Sequence, residues 1–445
     1  METRGRAVMG GPLLNTTHHD AMVVHGGRVI DPATGRDGIV DVAIDDGVIA
    51  QEPHRNAFVL DATGLIVCPG LTDIHVHLRE PGQAHKETIE TGTTAAAAGG
   101  FTLVACMPNT QPALDTPDLI RWVIGRADEV NHCAVAPVAA ITQGRRGREL
   151  TDFAALKAAG AAAFSDDGTG VEDDAVMRSA FERASKLDAL LIQHCEYRAI
   201  SAGGVMHLGA VSRRLGLPGL DPRSEEAMIE RDIDLCRRTG GRYHVAHIST
   251  AKAIELVRRA KLEGLPITAE VCTHHLVLTA EACSQADPDT KMHPPLRTQE
   301  DMEACRRGLL DGTIDCVVTD HAPHSVEEKA AGFLKAPAGI VGLETAVGIA
   351  ARAMIDSELS DCPQLIALFT TGPARVLRRR AAAVDVGARA DLTLIDPRSP
   401  WVVNPAEFCS KGRNTPFDGW TLTARSIATI RGRRISRLAP VVGTA

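Results

Sequence analysis

Histidine and aspartate side chains recur where short apolar segments end in the middle of the chain. His75 and His77 flank Val76, so in an extended segment both imidazoles project to the same side. A single His-x-His pair more often belongs to a structural histidine than to a metal site. Here, however, similar groups follow further apolar segments, namely Asp166, Asp167, His194, His247 and Asp320. Recurrence at one segment end after another makes coincidence a poor explanation.

These residue types indicate metal-dependent hydrolysis. Imidazole nitrogen and carboxylate oxygen suit zinc, and four histidines with two carboxylates suffice for two ions if one group bridges them. Two ions flanking one hydroxide can lower the pKa of bound water from about 16 towards about 7, which supplies a nucleophile near neutral pH. No glycine-rich phosphate loop follows a predicted strand, so nucleotide-dependent chemistry has no support.

The apolar segments alternate with longer helical stretches, an order typical of βα units and a parallel sheet. One predicted helix covers residues 224–239. The eight predicted strands cover residues 70–75, 102–106, 134–138, 161–164, 190–194, 243–247, 267–271 and 316–319. Eight units favour a closed (β/α)8 barrel of the TIM type over an open doubly wound sheet. In such barrels the chemistry lies at the carboxyl ends of the strands, where the loops converge.

Short β-strand patterns occur at both chain ends. Asp46 and Gly47 form a turn pair after one alternating segment, and Gly432 lies in a similar pattern near the other end. We therefore predict a small β-sandwich assembled from residues 22–68 and 384–445, flanking a barrel of residues 69–383. Residues 1–21 are predicted to be a loose tail, because they lack an apolar core long enough for a signal peptide.

Composition excludes several classes of protein. The net charge is -8, and basic residues form only short clusters such as residues 378–380, so nucleic-acid binding is not expected. No apolar stretch approaches the roughly 20 residues of a membrane span. The 11 cysteines are an odd number without a Cys-x-x-Cys pair, which argues against a disulfide framework and a cysteine zinc knuckle. These features are typical of a cytoplasmic protein.

Residues 70–82, Gly-Leu-Thr-Asp-Ile-His-Val-His-Leu-Arg-Glu-Pro-Gly, resemble the signature of class I dihydroorotases in the amidohydrolase superfamily. Four further motifs support the resemblance: Met-Pro-Asn-Thr at 107–110, Phe-Ser-Asp-Asp-Gly at 164–168, Thr-Asp-His-Ala-Pro-His at 319–324 and Gly-Ile-Val-Gly-Leu-Glu-Thr at 339–345. The resemblance extends over nearly the whole chain. It implies the ligand set of two zinc ions: His75, His77 and Asp320 on one, His194 and His247 on the other, and Asp167 as the bridge.

The bridging position separates related families. Hydantoinases and allantoinases usually place a carboxylated lysine there, whereas this chain has Asp166 and Asp167 and no lysine, which favours dihydroorotase. The choice of Asp167 over Asp166 rests on family spacing. The resemblance also implies that Asp320 is the catalytic proton carrier.

Substrate recognition is expected beside the metal motif. Dihydroorotate carries a carboxylate, and the guanidinium of Arg79 can pair with it through two parallel hydrogen bonds. The alternative for Arg79 is a surface ion pair with Glu80 or Glu87, and for Asn109 a turn position. The resemblance implies further substrate contacts at Asn109, His293, His324, Ala338 and Gly339. His293 stands where the family often has asparagine, which leaves contacts to the pyrimidine ring open. His274 and His275 are not family ligands, and we assign them mainly to structure.

The expected reaction interconverts dihydroorotate and N-carbamoyl-L-aspartate, a step of pyrimidine biosynthesis. Two alternatives stay open. One is a cyclic amidohydrolase of the allantoinase or hydantoinase type, and the other is a non-catalytic dihydroorotase-like subunit of aspartate transcarbamoylase, a class that typically loses zinc ligands. A homo-oligomer is expected, and association with aspartate transcarbamoylase is left open. Residues 325–337, beside Asp320, are a lid candidate.

Overall fold

Eight parallel strands form a barrel in the computed structural model, which describes residues 14–438. In chain order they are β1 (Leu71–Val76), β2 (Phe101–Cys106), β3 (Ala134–Ala139), β4 (Ala163–Phe164), β5 (Leu190–Gln193), β6 (Arg242–Val245), β7 (Ile267–Cys272) and β8 (Cys316–Val318). Each strand pairs with the next, and a bridge between Val76 and His321 joins the first strand to the segment after the last. The predicted barrel is confirmed, with strand ends within about two residues of the prediction.

The barrel strands are apolar on both faces because each face is covered. Ile74, Val138 and Ile192 pack inside the barrel, whereas Leu191 and Tyr243 pack outward against the helices. For this reason their sequences are short, nearly continuous apolar segments.

The helices follow the strands and cover the barrel. Several begin at a side-chain cap; for example, Thr250 Oγ1 accepts a hydrogen bond from Ala253 N. The helix predicted at residues 224–239 is Arg223–Thr239. The other α-helices of the described residues are Ile89–Gly99, Pro117–Val130, Phe153–Ala158, Asp174–Lys186, Arg198–Ser201, Ala210–Leu215, Ala251–Leu262, Gln299–Leu310, Val326–Lys329, Ala346–Met354, Cys362–Phe369 and Thr371–Val376.

Two further sheets, built from both chain ends, form the predicted sandwich. The seven-stranded sheet has the order Leu14–His18, Arg434–Leu438, Arg425–Arg431, Asp391–Asp396, Ile66–Pro69, Arg28–Asp31 and Arg36–Ile39. The four-stranded sheet has the order Val48–Ala50, Val42–Asp45, Ala21–His25 and Phe58–Asp61. Met22, Ile44, Leu392 and Ile430 belong to the shared core. Two-stranded pairs are Met206–His207 with Gly219–Leu220 and Trp401–Val402 with Thr421–Leu422.

The predicted tail of residues 1–21 is too long. Leu14–His18 pairs antiparallel with Arg434–Leu438 at the edge of the larger sheet, and residues 1–13 lie outside the described residues. The sequence did not indicate this strand because it lies at the edge of the sheet, where its mostly polar side chains are largely exposed and show no apolar pattern. The division of the chain at residues 68–69 and 383–384 stays a prediction. No helix in the described part of the chain combines the length and apolar character needed to cross a membrane.

Candidate metal centre and substrate pocket

The predicted ligands meet at the carboxyl ends of the barrel strands. His75 and His77 lie at the end of β1, and all six predicted ligands are buried. Asp167 lies among four histidines. Its Oδ1 is 3.4 Å from His75 Nε2, 3.6 Å from His194 Nδ1 and 3.7 Å from His247 Nε2, and its Oδ2 is 3.6 Å from His77 Nε2. Asp320 Oδ1 lies 2.9 Å from His77 Nε2 and 3.6 Å from His75 Nε2.

Asp166 and Asp167 are neighbours in sequence but face different partners. Asp166 Oδ1 accepts a hydrogen bond from Thr142 N at 3.0 Å, and its Oδ2 accepts one from the Thr142 hydroxyl. Asp166 therefore fixes the loop after β3, while Asp167 faces the histidines. The position of Asp167 agrees with the choice that family spacing implied.

Other side chains orient the imidazoles from behind. His75 Nδ1 lies 2.5 Å from Glu270 Oε1 on β7, so an N–H donated there leaves Nε2 directed at the two aspartates. His77 Nδ1 likewise lies 2.8 Å from Asn109 Oδ1. His194 Nε2 lies 3.6 Å from Glu196 Oε2, which leaves Nδ1 on the inner side. Each of these three rings thus presents one nitrogen to a common centre.

The buried acidic and basic side chains at this centre shift one another's pKa values. Burial alone would raise the pKa of Asp167, but the surrounding histidines, His75 above all, hold it well below its usual range. Burial opposes protonation of His194, yet Asp167 and Glu196 raise its pKa to about 9. His75 Nε2 and Asp167 Oδ1 have no hydrogen-bond partner among the described residues. Buried nitrogen and oxygen atoms that face one another without a hydrogen bond are suitable ligands for a divalent metal ion.

Three residues of the site have backbone angles that are rare for non-glycine residues. Arg79, His247 and Asp320 have positive φ values of 61°, 33° and 47°. Each follows the carboxyl end of a barrel strand. Strain of this kind persists only where surrounding contacts hold it, and it is concentrated at functional sites.

A pocket of about 220 Å³ opens beside the metal ligands. Arg79 is buried in its wall; its Nε donates to Pro323 O at 3.2 Å, and its Nη2 lies 3.3 Å from His324 Nε2. The alternative ion pairs are replaced by other contacts, since Glu80 accepts from Ile89 N and Glu87 lies beside His321. Although burial lowers the pKa of Arg79 to about 10, its guanidinium stays charged at neutral pH.

The other predicted substrate contacts lie at or near this pocket. Asn109, His293, His324 and Ala338 line it. Asn109 Nδ2 donates to Asp167 Oδ2 at 3.2 Å, and His324 Nε2 lies 3.0 Å from Ala338 O. His293 is half-buried and neutral, because desolvation of its ring lowers its pKa to about 4. Gly339 is not in the lining, and its carbonyl accepts hydrogen bonds from Asn414 and Lys329.

Glu270, Glu196 and Met292 are absent from the site predicted by sequence. Glu270 lies inside an apolar strand, and its one signal is a carboxylate where the barrel interior requires an apolar side chain. Glu196 follows His194 by two residues, so strand alternation could have indicated it. Met292 lines the pocket, but nothing in its sequence context distinguishes it from a core residue.

Comparison with known proteins identifies the family of this chain. A family model described as dihydro-orotase-like matches residues 64–253. The dihydroorotase of Pelotomaculum thermopropionicum is 49% identical over 420 residues, which cover 93% of this chain and 98% of that protein. The chain belongs to the dihydroorotase family. The dihydroorotase of Syntrophus aciditrophicus is 44% identical over the same shares, and that of Halalkalibacterium halodurans is 47% identical over 89% of this chain and 93% of its own length.

Solved structures show the fold of this dihydroorotase-family chain. The L-hydantoinase of Arthrobacter aurescens superposes with a TM-score of 0.83 at 24% identity, covering 95% of this chain and 97% of that one. The dihydropyrimidinase of Brevibacillus agri gives a TM-score of 0.80 at 21% identity over 96% and 97% of the two chains. At such identities the likeness concerns the fold alone. The family is metal-dependent, and the histidine and aspartate clusters of this chain are its candidate metal sites.

Proposed function

We propose that the chain is a zinc-dependent dihydroorotase that interconverts (S)-dihydroorotate and N-carbamoyl-L-aspartate. The observation that carries the proposal is the meeting of six ligand side chains at one barrel mouth, directly beside the buried cation of Arg79. The dihydroorotases that are 44% to 49% identical over almost their full length support the same reaction.

We assign two zinc ions to the centre. His75, His77 and Asp320 would hold one ion, His194 and His247 the other, and Asp167 would bridge the two. The assignment is supported by the ring nitrogen that each histidine directs at Asp167 and by the central place of Asp167. When bound, the ions supply Lewis acidity, which polarises the ring carbonyl and lowers the pKa of the attacking water.

Asp320 is the group that moves the proton in this proposal. It lines the pocket, and although burial alone would raise its pKa, the neighbouring histidines, His75 first, hold that pKa below the usual value, so it begins as a carboxylate. Asp320 accepts a proton as water adds to the ring carbonyl and donates it to the ring nitrogen as the C–N bond breaks. The reverse sequence closes carbamoyl aspartate to dihydroorotate with release of water.

The carboxylate of the substrate fixes its orientation. The guanidinium of Arg79 can donate two hydrogen bonds to it, and the Asn109 amide lies on the same wall. His324 is held neutral, because burial and then the neighbouring cations Arg79 and Lys86 lower its pKa to about 2. His324 therefore offers the substrate carboxylate a neutral polar ring rather than a second positive charge. Binding the carboxylate here would place the reacting amide towards Asp167 and Asp320.

Two other activities are distinguished by experiment. A hydantoinase or allantoinase would share the fold, so the test is a panel of dihydroorotate, hydantoin and allantoin with one metal-loaded preparation. We expect turnover of dihydroorotate only. A non-catalytic subunit of aspartate transcarbamoylase is disfavoured because all six ligand positions are occupied by coordinating residues.

The most direct test combines metal analysis with a ring-opening assay on the same protein. We expect at least about two zinc ions per chain and dihydroorotate-dependent formation of carbamoyl aspartate that a chelator abolishes. Protein that binds no zinc and leaves dihydroorotate intact would overturn the proposal. Self-association and binding to a transcarbamoylase are further proposals, and size-exclusion chromatography with and without that partner tests both.

A further inference from the structure

A second buried cluster of metal-binding residue types lies directly beyond β7. Cys272 ends that strand, and His274 and His275 lie in the single helical turn Thr273–Leu276 that follows. The three side chains are 0%, 1% and 3% exposed, and they offer donor atoms that all lie within 4.8 Å of one another. None of these residues belongs to the six ligands assigned above, so the cluster requires an explanation of its own.

The histidines of this cluster are incompletely hydrogen-bonded. Neither ring nitrogen of His274 has a hydrogen-bond partner among residues 14–438, and the same is true of His275 Nδ1. Buried polar groups without partners are rare in folded proteins, and an ion or an ordered water is the usual explanation. Burial also lowers the pKa of His274 to about 4, which keeps that ring neutral and its lone pair available.

His275 has the orientation expected of a metal ligand. Its Nε2 lies 3.1 Å from the carbonyl oxygen of Pro294, to which it donates a hydrogen bond. That bond fixes the proton on Nε2 and leaves the lone pair of Nδ1 directed elsewhere. Histidines that bind metals commonly donate their second ring nitrogen to a carbonyl or carboxylate in this way.

We infer that Cys272, His274 and His275 form a third metal site, one that takes a thiophilic divalent cation of the zinc class. The thiolate distinguishes it from the active-site centre, whose ligands are all nitrogen and oxygen, because sulfur ligands favour softer cations. On binding, the Cys272 thiol loses its proton to solvent as the sulfur–metal bond forms. Three protein ligands leave a fourth tetrahedral position for water.

The place of the cluster suggests what the ion would stabilise. Pro294, which holds His275, follows His293, and His293 lines the substrate pocket. A bound cation would therefore join the end of β7 to the segment that presents His293. It would act by positioning this wall of the pocket, without contact to the reacting atoms.

Cobalt substitution tests the site directly. The full chain is stripped with a chelator and titrated with Co²⁺, while the near-ultraviolet absorption and bound cobalt are measured. A thiolate-to-cobalt charge-transfer band requires a cysteine ligand, and the active-site centre has none. We expect this band in the wild type, together with one bound ion more per chain than in Cys272→Ser, which should lack the band.

Two variants keep the test decisive. Cys305→Ser removes another buried cysteine, one outside the cluster, and should keep both the band and the extra ion. His274→Gln retains the thiol and should weaken binding of the extra ion, so the inference stays testable if Cys272→Ser does not fold. A wild type without the band would overturn the inference and leave a buried water as the explanation. A band that persists in Cys272→Ser would overturn it as well.

Discussion

Three of the imidazoles around Asp167, those of His75, His77 and His194, are oriented by a contact to the other ring nitrogen. Glu270 is the most consequential of these contacts, because it approaches both His75 and His244 and also accepts a hydrogen bond from His247 N. Burial would raise its pKa, but the two histidine side chains keep it well below its usual range, so it is a carboxylate. One buried charge therefore fixes the inward nitrogen of His75 and the backbone of His247.

Glu270→Gln should loosen the metal centre while preserving its ligands. The neutral amide is a weaker acceptor for His75, and loss of such an outer contact typically costs 10- to 100-fold in metal affinity. Chelator competition measures that affinity. Glu255→Gln, an exposed carboxylate on a surface helix, serves as the control and should bind zinc like the wild type. Unchanged affinity in Glu270→Gln would show that His75 does not depend on it.

Asp320→Asn removes the proposed proton carrier but keeps an oxygen donor of similar size. We expect kcat to fall by about 10²- to 10⁴-fold, the usual contribution of general acid–base catalysis. Zinc content is measured on the same sample, so lost turnover can be separated from lost metal. A variant that keeps its zinc and its full rate would contradict the role of Asp320.

Arg79→Lys keeps a positive charge but loses the paired donors of the guanidinium. Hydrogen bonds to charged groups contribute about 1.5–3 kcal/mol, so losing one corresponds to a rise in KM for dihydroorotate of roughly 10- to 100-fold. The kcat should change less if the contact is made equally before and during reaction. Arg121→Lys, on an exposed helix face, is the control. Equal KM values for both variants would exclude Arg79 from carboxylate binding.

At the scale of elements, the sequence predicted the repeated strands of the barrel and missed features that occur only once, such as Glu270 and one edge strand. Eight apolar runs with polar ends indicated the barrel, and the strand-end rule then brought His75, His194 and Asp320 together. Glu270 was missed because the strand pattern shows its carboxylate but not the histidines that it contacts inside the barrel. The edge strand Leu14–His18 was missed because its mostly polar side chains resemble a tail. In both cases the missing information is a partner distant in sequence.

Asn414, which follows the barrel in the chain, forms hydrogen bonds with the loops that border the pocket. Asn414 Oδ1 accepts from His324 N at 3.0 Å, and its Nδ2 donates to Ala322 O and Gly339 O at 3.0 and 2.9 Å. One amide therefore joins the loop after β8 to the end of the lid candidate, residues 325–337. The closure of that lid stays a prediction.

Asn414→Ala should raise KM and leave zinc content unchanged. Without the amide, His324 and Gly339 lose a shared partner, so the pocket wall is less well ordered before substrate binds. Steady-state kinetics and metal analysis on one preparation provide the measurement. Asn404→Ala is the matched control, since Asn404 only caps an exposed single turn. A similar KM for the two variants would contradict the positioning role of Asn414.

At the scale of the whole molecule, the sandwich and the barrel are joined by polar contacts as well as packing. Thr393 of the larger sheet donates from Oγ1 to Gly100 O at 2.6 Å, and Leu71 N, at the start of β1, donates to the same hydroxyl. Arg434 of this sheet donates to Val130 O and Asn131 O, at the carboxyl end of the helix Pro117–Val130. Because the sandwich combines strands that precede and follow the barrel, barrel and sandwich should unfold together.

The Arg434 contact should make stability depend on pH through His132, whose Nδ1 accepts from Arg434 Nη2 at 2.7 Å. Burial and then the Arg434 charge lower the pKa of His132 to about 4. Since the folded pKa lies below the ordinary value of 6.5, this contribution to stability is complete above pH 6.5 and is lost as pH falls towards 4. The wild type should therefore lose more unfolding free energy than His132→Asn over that interval. Urea unfolding of both proteins after chelation measures the difference, and His54→Asn, at an exposed histidine, is the control. Parallel pH profiles for the wild type and His132→Asn would show that folding does not lower the pKa of His132.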